Sequence, residues 1–179
     1  MGQNKIPNRL LIIGNGFDLN LGRNTRYSDF AKSEFWPKNL ESQLYGYLNK
    51  KFQIERWFDL EGELATYVTK LNDQRLASYR STISNIAKQD EHDFQIIVEA
   101  MISYLSLIEE HTNPKEPSLA AKVFSLICRD RAFQKVYSFN YTDLSRLADW
   151  LSLEREPLFE YVHGCLANHS AILGINDSV

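Results

Sequence analysis

The chain has 179 residues, 44% of them hydrophobic, enough for the core of one soluble α/β or mostly helical domain and too many for a disordered chain. Its 20 basic and 23 acidic residues leave a formal net charge of -3, so no broad positive field exists to grip a phosphodiester backbone and nucleic acid is not the expected partner. No apolar run approaches the ~20 residues needed to span a bilayer. Cys128 and Cys165 are too few for a disulfide framework, and the N-terminus lacks the basic region and apolar run of a signal peptide, so a cytoplasmic protein without membrane contact is expected.

In chain order, the first element is a strand. Leu10 to Ile13 form a continuous apolar run, which predicts a parallel strand covered on both faces, and it stops at Gly14-Asn15-Gly16. Two glycines there let the backbone approach a phosphate that side chains would block. A dinucleotide fingerprint needs a third glycine where Leu19 stands, and no acidic residue ends a clear second strand, so the pattern argues against an NAD dehydrogenase.

A helical block follows. Ser28 is expected to cap a short helix reaching about Trp36, and Leu40, Leu44, Tyr47, Leu48 and Phe52 mark the next apolar stripe. Trp57, Leu60, Leu64, Val68 and Leu71 continue the period. Leu76, Tyr79, Ile83 and Ile86 predict a separate helix, and Phe94, Ile97, Val98, Met101, Ile102, Leu105 and Ile108 the most regular one. Asn113 to Pro117 reads as a turn before a helix marked by Leu119, Val123, Leu126 and Ile127.

The period then changes. Lys135 to Phe139 reads as a strand running into Asn140-Tyr141-Thr142-Asp143, followed by a helix marked by Leu144, Leu147, Ala148 and Leu151. Leu158 to Val162 reads as a strand ending at His163-Gly164, and Ala171 to Ile175 as another ending at Asn176-Asp177. Parallel strands would open all four ends along one edge, where open α/β sheets place their ligands.

Six blocks carry a family resemblance: GNGFDLNLG at Gly14 to Gly22, TRYSDF at Thr25 to Phe30, WFDLE at Trp57 to Glu61, SFNYT at Ser138 to Thr142, YVHG at Tyr161 to Gly164 and ILGIND at Ile172 to Asp177. Together, and in this order, they resemble the AbiH family of bacterial abortive-infection proteins, which implies a role in phage defence. Asn24 departs from the pattern where a proline is often found. The resemblance also implies that a C-terminal part of the family pattern is missing after Val179. A glycine turn after the first strand, an Asn-Tyr pair after a later one and His-Gly after the next is similar in pattern to sirtuin-like NAD-binding domains. In those domains the corresponding asparagine and histidine line the pocket where the nicotinamide-ribose bond breaks, which here implies Asn140 and His163, with Phe17-Asp18 replacing the usual small hydroxyl residue.

Each candidate residue carries two readings. Asp18 meets a ribose hydroxyl, a base or a metal, or else it is an acidic residue at a helix start. Asn15 faces a ligand or supports the turn. His163 transfers a proton or bonds to backbone. Asn140 orients a ribose hydroxyl or water, or it caps a helix, although Thr142 or Asp143 serves as a cap equally well. Glu61 shares a predicted helical stripe with Trp57, Leu64, Ala65 and Val68, so it pairs with a buried donor, sits at the edge of the stripe or reaches the open end of the sheet, while Asp59 falls on the solvent side. Tyr141 belongs to the tyrosines that could stack on a base. His163, Cys165 and His169 fit no zinc spacing, so no metal is expected.

The sequence therefore predicts one α/β domain over the whole chain, with a Rossmann-like three-layer, mostly parallel sheet and a helical insertion at about 28–133 after the first strand. The expected site joins His163, Asn140 and Glu61 as catalytic residues to Gly14, Asn15, Gly16, Asp18, Tyr141, Thr142, Gly164, Asn176 and Asp177 as nucleotide-binding ones. NAD or a related nucleotide is the candidate ligand or substrate, no cofactor is required, and the expected reaction is hydrolysis at the glycosidic bond. The alternatives are a non-catalytic nucleotide sensor or partner-binding module and a metal-dependent RNA phosphodiesterase. A homodimer or a phage or host protein as trigger are the further expected partners.

Overall fold

The computed structural model describes residues 9–54, 58–77, 80–111, 118–129, 133–154, 157–168 and 172–173, with the side chains of 73–84 left aside. The elements run β1 (Arg9–Ile13), α1 (Asn15–Asn20), α2 (Tyr27–Lys32), α3 (Gln43–Ile54), α4 (Leu60–Ala77), α5 (Arg80–His111), α6 (Leu119–Arg129), β2 (Phe133–Ser138), α7 (Leu144–Trp150) and β3 (Leu158–Tyr161). They form two compact units. One takes the described residues of 1–25 and 105–172, the other those of 26–104 with Leu173.

The first unit is α/β. Its three described strands are parallel in the order β1-β2-β3, and Ile13, Ser138 and Tyr161 stand side by side at their carboxyl ends. The alternation within β1 decides its packing. Leu11 and Ile13 turn towards a core shared with Phe124, Val136, Leu144 and Leu147, whereas Leu10 and Ile12 are 62% and 60% exposed. This corrects the expectation of a strand covered on both faces: among the described residues, helices α6 and α7 build the core on one face only. The predicted fourth strand is also corrected in part, since Ile172 and Leu173 carry no strand and Gly174 to Asp177 lie outside the described residues.

The second unit is helical, around an aromatic core in which the Trp36 ring lies 5.3 Å from Phe30 and 6.2 Å from both Tyr45 and Phe58. Here the local signals need three corrections. Helix α2 begins at Tyr27, one residue before the expected cap Ser28, and stops at Lys32 because Ser33 turns its hydroxyl back onto the Phe30 carbonyl at 2.7 Å. The separate helices expected around Ile83 and Phe94 are one helix of 32 residues, for no glycine or proline interrupts Arg80 to His111. In α4 the buried positions are Leu60, Leu64 and Tyr67, while Val68 is 53% exposed. Leu60 and Leu64 are buried as predicted, the stripe then turns to Tyr67 in place of Val68, and Trp57 lies outside the described residues.

Candidate functional site

The carboxyl edge of the sheet gathers most of the predicted residues. Backbone bonds continue the ladder past the strands, with Phe139 N donating to Ile13 O at 2.9 Å and Val162 N to Ser138 O at 2.8 Å, so the segments after all three strands stay together. Gly14, Asn15 and Gly16 are exposed there, and Thr25 Oγ1 donates to Asn15 Oδ1. A Cβ placed on Gly14 or Gly16 meets no atom within 4 Å. Gly14 has an extended backbone, φ -129°, so neither packing nor backbone conformation demands glycine at that position.

The loop after β2 is shaped from within. Ser138, fully buried, accepts from Asn140 N at 3.1 Å, and Asn140 Nδ2 donates to Gly14 O at 3.1 Å. Asn140 is therefore no helix cap: Asp143 caps α7 by accepting from Ser145 N at 2.9 Å. His163 is half-buried, with its ring 5.5 Å from that of Phe139 and 6.1 Å from that of Tyr141. Its carbonyl accepts from Ile172 N at 2.8 Å, while Tyr141 Oη donates to Ile172 O at 3.1 Å. Gly164 follows at φ 78°, the left-handed region that favours glycine.

Behind this edge lies a buried charge network. Asp18 is 1% exposed and accepts from Thr142 Oγ1 at 2.8 and 3.0 Å and from Arg23 Nη1 at 3.3 Å. It stands in the first turn of α1, as the reading of an acidic residue at a helix start has it, with its side chain turned into the interior. Arg23 Nη1 stands 4.0 Å from Glu109, whose Oε1 accepts from Asp143 N at 2.7 Å and whose other oxygen lies 3.7 Å from Arg146. Among the described residues Nε of Arg23 has no hydrogen-bond partner. Burial pushes both Asp18 and Glu109 above their ordinary carboxyl values, against the pull of Arg23 on each. Tyr161 Oη donates to Asp143 Oδ1 at 3.1 Å and accepts from Leu144 N at 2.9 Å, joining β3 to the start of α7. Cys165, almost fully buried, has its thiol raised by burial.

Three of the predicted site residues, Glu61, Asn176 and Asp177, are not among those described at this edge. Glu61 belongs to the helical unit, where it accepts from Tyr27 Oη at the margin of the α4 stripe, and Asp59 is exposed and accepts from Gly62 N at 3.2 Å. Asn176 and Asp177, like His169, fall outside the described residues. Among those described, no group of three or more His, Cys, Asp or Glu side chains is arranged to hold a metal ion, and no helix is long and apolar enough to cross a membrane.

Arg23 and Glu109 escaped the sequence reading. Glu109 had a legible signal: it continues the buried series Ile97, Met101, Leu105 at four-residue steps. Arg23 had none, because α1 ends at Asn20 and no helical period links Arg23 to Asp18, its partner five residues earlier.

A family model described as bacteriophage abortive infection AbiH matches residues 10–178. The chain belongs to the AbiH family. Membership carries a bacteriophage abortive-infection role, and the matched span includes every part of the sheet edge described above. No match was found among curated proteins or among solved structures.

Proposed function

We propose that this AbiH protein binds NAD or a related nucleotide at the carboxyl ends of β1, β2 and β3 and hydrolyses its glycosidic bond, so that loss of the nucleotide halts an infected cell. The observation that carries the reading is the Gly14-Asn15-Gly16 turn. Glycine within a helix costs roughly 0.5–1 kcal/mol relative to alanine, yet Gly16 stands inside α1 with open space where a Cβ would lie. Close approach of a ligand to the backbone gives that glycine a purpose. The parallel order supports a Rossmann-like site at this edge, and a full three-layer form would need helices over Leu10 and Ile12.

His163 is the acid/base group of the proposal. Nicotinamide leaves a cationic ribosyl-pyridinium as a neutral ring and needs no proton, so one base to activate water suffices. Half-buried between Phe139 and Tyr141, the His163 imidazole has a polar edge and apolar flanks suited to that task. Asn140 keeps the glycine turn in place through its bond to Gly14 O. Glu61 enters no step.

The test is nicotinamide release from NAD by the purified protein. Release is expected from the wild type, with a loss of about 10²–10⁴-fold in His163→Ala. Equal rates in the two proteins, or no NAD consumption by the wild type, overturn the hydrolysis. Tight NAD binding without turnover supports the second reading, a nucleotide sensor, which is favoured by the engagement of Asp18 and Glu109 in internal bonds.

A further inference from the structure

The segment from Phe139 to Asp143 carries both rings that flank His163, and it is fastened at each end. At its start Asn140 Nδ2 donates to Gly14 O at 3.1 Å. At its end Thr142 Oγ1 lies 2.8 Å and 3.0 Å from the two oxygens of Asp18, with both residues 1% exposed. Asp18 is itself held by Arg23 at 3.3 Å, and the neighbouring Asp143 N is held by Glu109 at 2.7 Å. A valine in place of Thr142 would fill the same volume but leave the buried Asp18 carboxylate without its hydroxyl donor. What the hydroxyl-carboxylate contact adds is direction, which apolar packing does not supply.

We infer that Asp18 and Thr142 are positioning residues: through this contact they fix the Phe139–Tyr141 segment and so the setting of the His163 ring, without either touching a ligand. Asp18 thus acts on the site from behind. Its carboxylate is coupled to Arg23 and Glu109, so the clamp closes on Thr142 from one side and on Asp143 from the other. The kinetic part of the test rests on the proposed hydrolysis, whereas the spectroscopic part does not.

The experiment compares full-length Thr142→Val and Thr142→Ser with the wild type, reading the His163 ring-proton resonance by NMR and the kcat and KM of nicotinamide release. That resonance reports the placement of the flanking rings of Phe139 and Tyr141. Thr142→Val is expected to move it and to lower kcat by about 100-fold with KM unchanged, the scale of a small misplacement of a reacting group. Thr142→Ser, which keeps the hydroxyl, returns both towards wild type. A folded Thr142→Val with an unmoved resonance overturns the clamp. Absence of NAD turnover in the wild type overturns the hydrolysis alone and leaves the resonance to decide. Should Thr142→Val not fold, Asp18→Asn keeps one oxygen for the hydroxyl and gives up the charge; a smaller shift of the same resonance is expected, and none overturns the inference.

Discussion

Asp93 of the helical unit and Asp18 of the sheet unit are both 1% exposed, yet they meet opposite surroundings. Asp93 accepts from Ser42 N at 3.0 Å and from Gln89 Nε2 at 3.0 Å, with His92 Nδ1 3.1 Å away, and nearby Asp90 accepts from Leu44 N at 2.9 Å and Tyr67 Oη at 2.6 Å. Burial works to lift the Asp93 carboxyl, but the bonds from His92, Ser42 and Gln89 hold it below the ordinary range. These two side chains from α5 serve as N-terminal caps for α3. Around Asp18 the same contest ends the other way, and burial wins over Arg23 and Thr142. A carboxylate that is cheaply satisfied marks a joint of the scaffold. One held at a cost lies behind the sheet edge of the proposed site.

The largest expected effect tests the costly side. Arg23→Met keeps much of the buried volume but leaves Asp18 and Glu109 without their shared cation, and it should lower unfolding free energy in urea by about 3–5 kcal/mol. The double variant with Asp18→Asn should recover part of that loss. A drop below about 1 kcal/mol, the range of an exposed pair, would show that the network is not the liability that its burial implies.

The scaffold side should yield less. Asp93→Ala removes the acceptor for Ser42 N and should cost about 1–3 kcal/mol, the penalty of stranding a buried donor. Hydrogen exchange sharpens the comparison, because faster exchange concentrated in the first turn of α3 is expected. Uniform loss of protection throughout the helical unit would mean that Asp93 supports the core and not one helix end.

The difference between the two sides was only partly legible in the sequence. Strand ends at Gly14, Asn140 and His163 were readable because each apolar run stops at a residue type suited to turns, and the observed register brings those stops together. The neighbourhood of Asp18 was not, since residue type alone permits a helix start as readily as a buried pair, and its partner Thr142 is 124 positions away. Glu61 drew attention because a carboxylate was expected on a core stripe; it sits at the edge of that stripe, one of its open readings, and the same reasoning applied to α5 would have found Asp90, Asp93 and Glu109. Periodicity locates a buried charge when the helix phase is right. It does not say whether donors await it.

pH provides the finest discrimination, because the two carboxyls should tilt stability in opposite directions. Asp93 has a folded pKa below its ordinary value of 3.8, so its contribution is present above that value and fades as pH falls through the lower folded one. Asp18 has a folded pKa above 3.8, so its contribution is full below that value and is lost as pH rises through the folded one. Thermal unfolding of Asp18→Asn beside the wild type should therefore show a variant that gains on the wild type as pH is raised from about 4 to 7, whereas Asp93→Asn should close its deficit as pH is lowered beneath about 4. Glu109 is raised as well and shares Arg23 with Asp18, so the difference between Asp18→Asn and the wild type reads the two carboxyls as a coupled pair. If the Asp18→Asn difference were flat with pH, the buried carboxyl would titrate as an ordinary one, and the contrast between the two units would reduce to geometry alone.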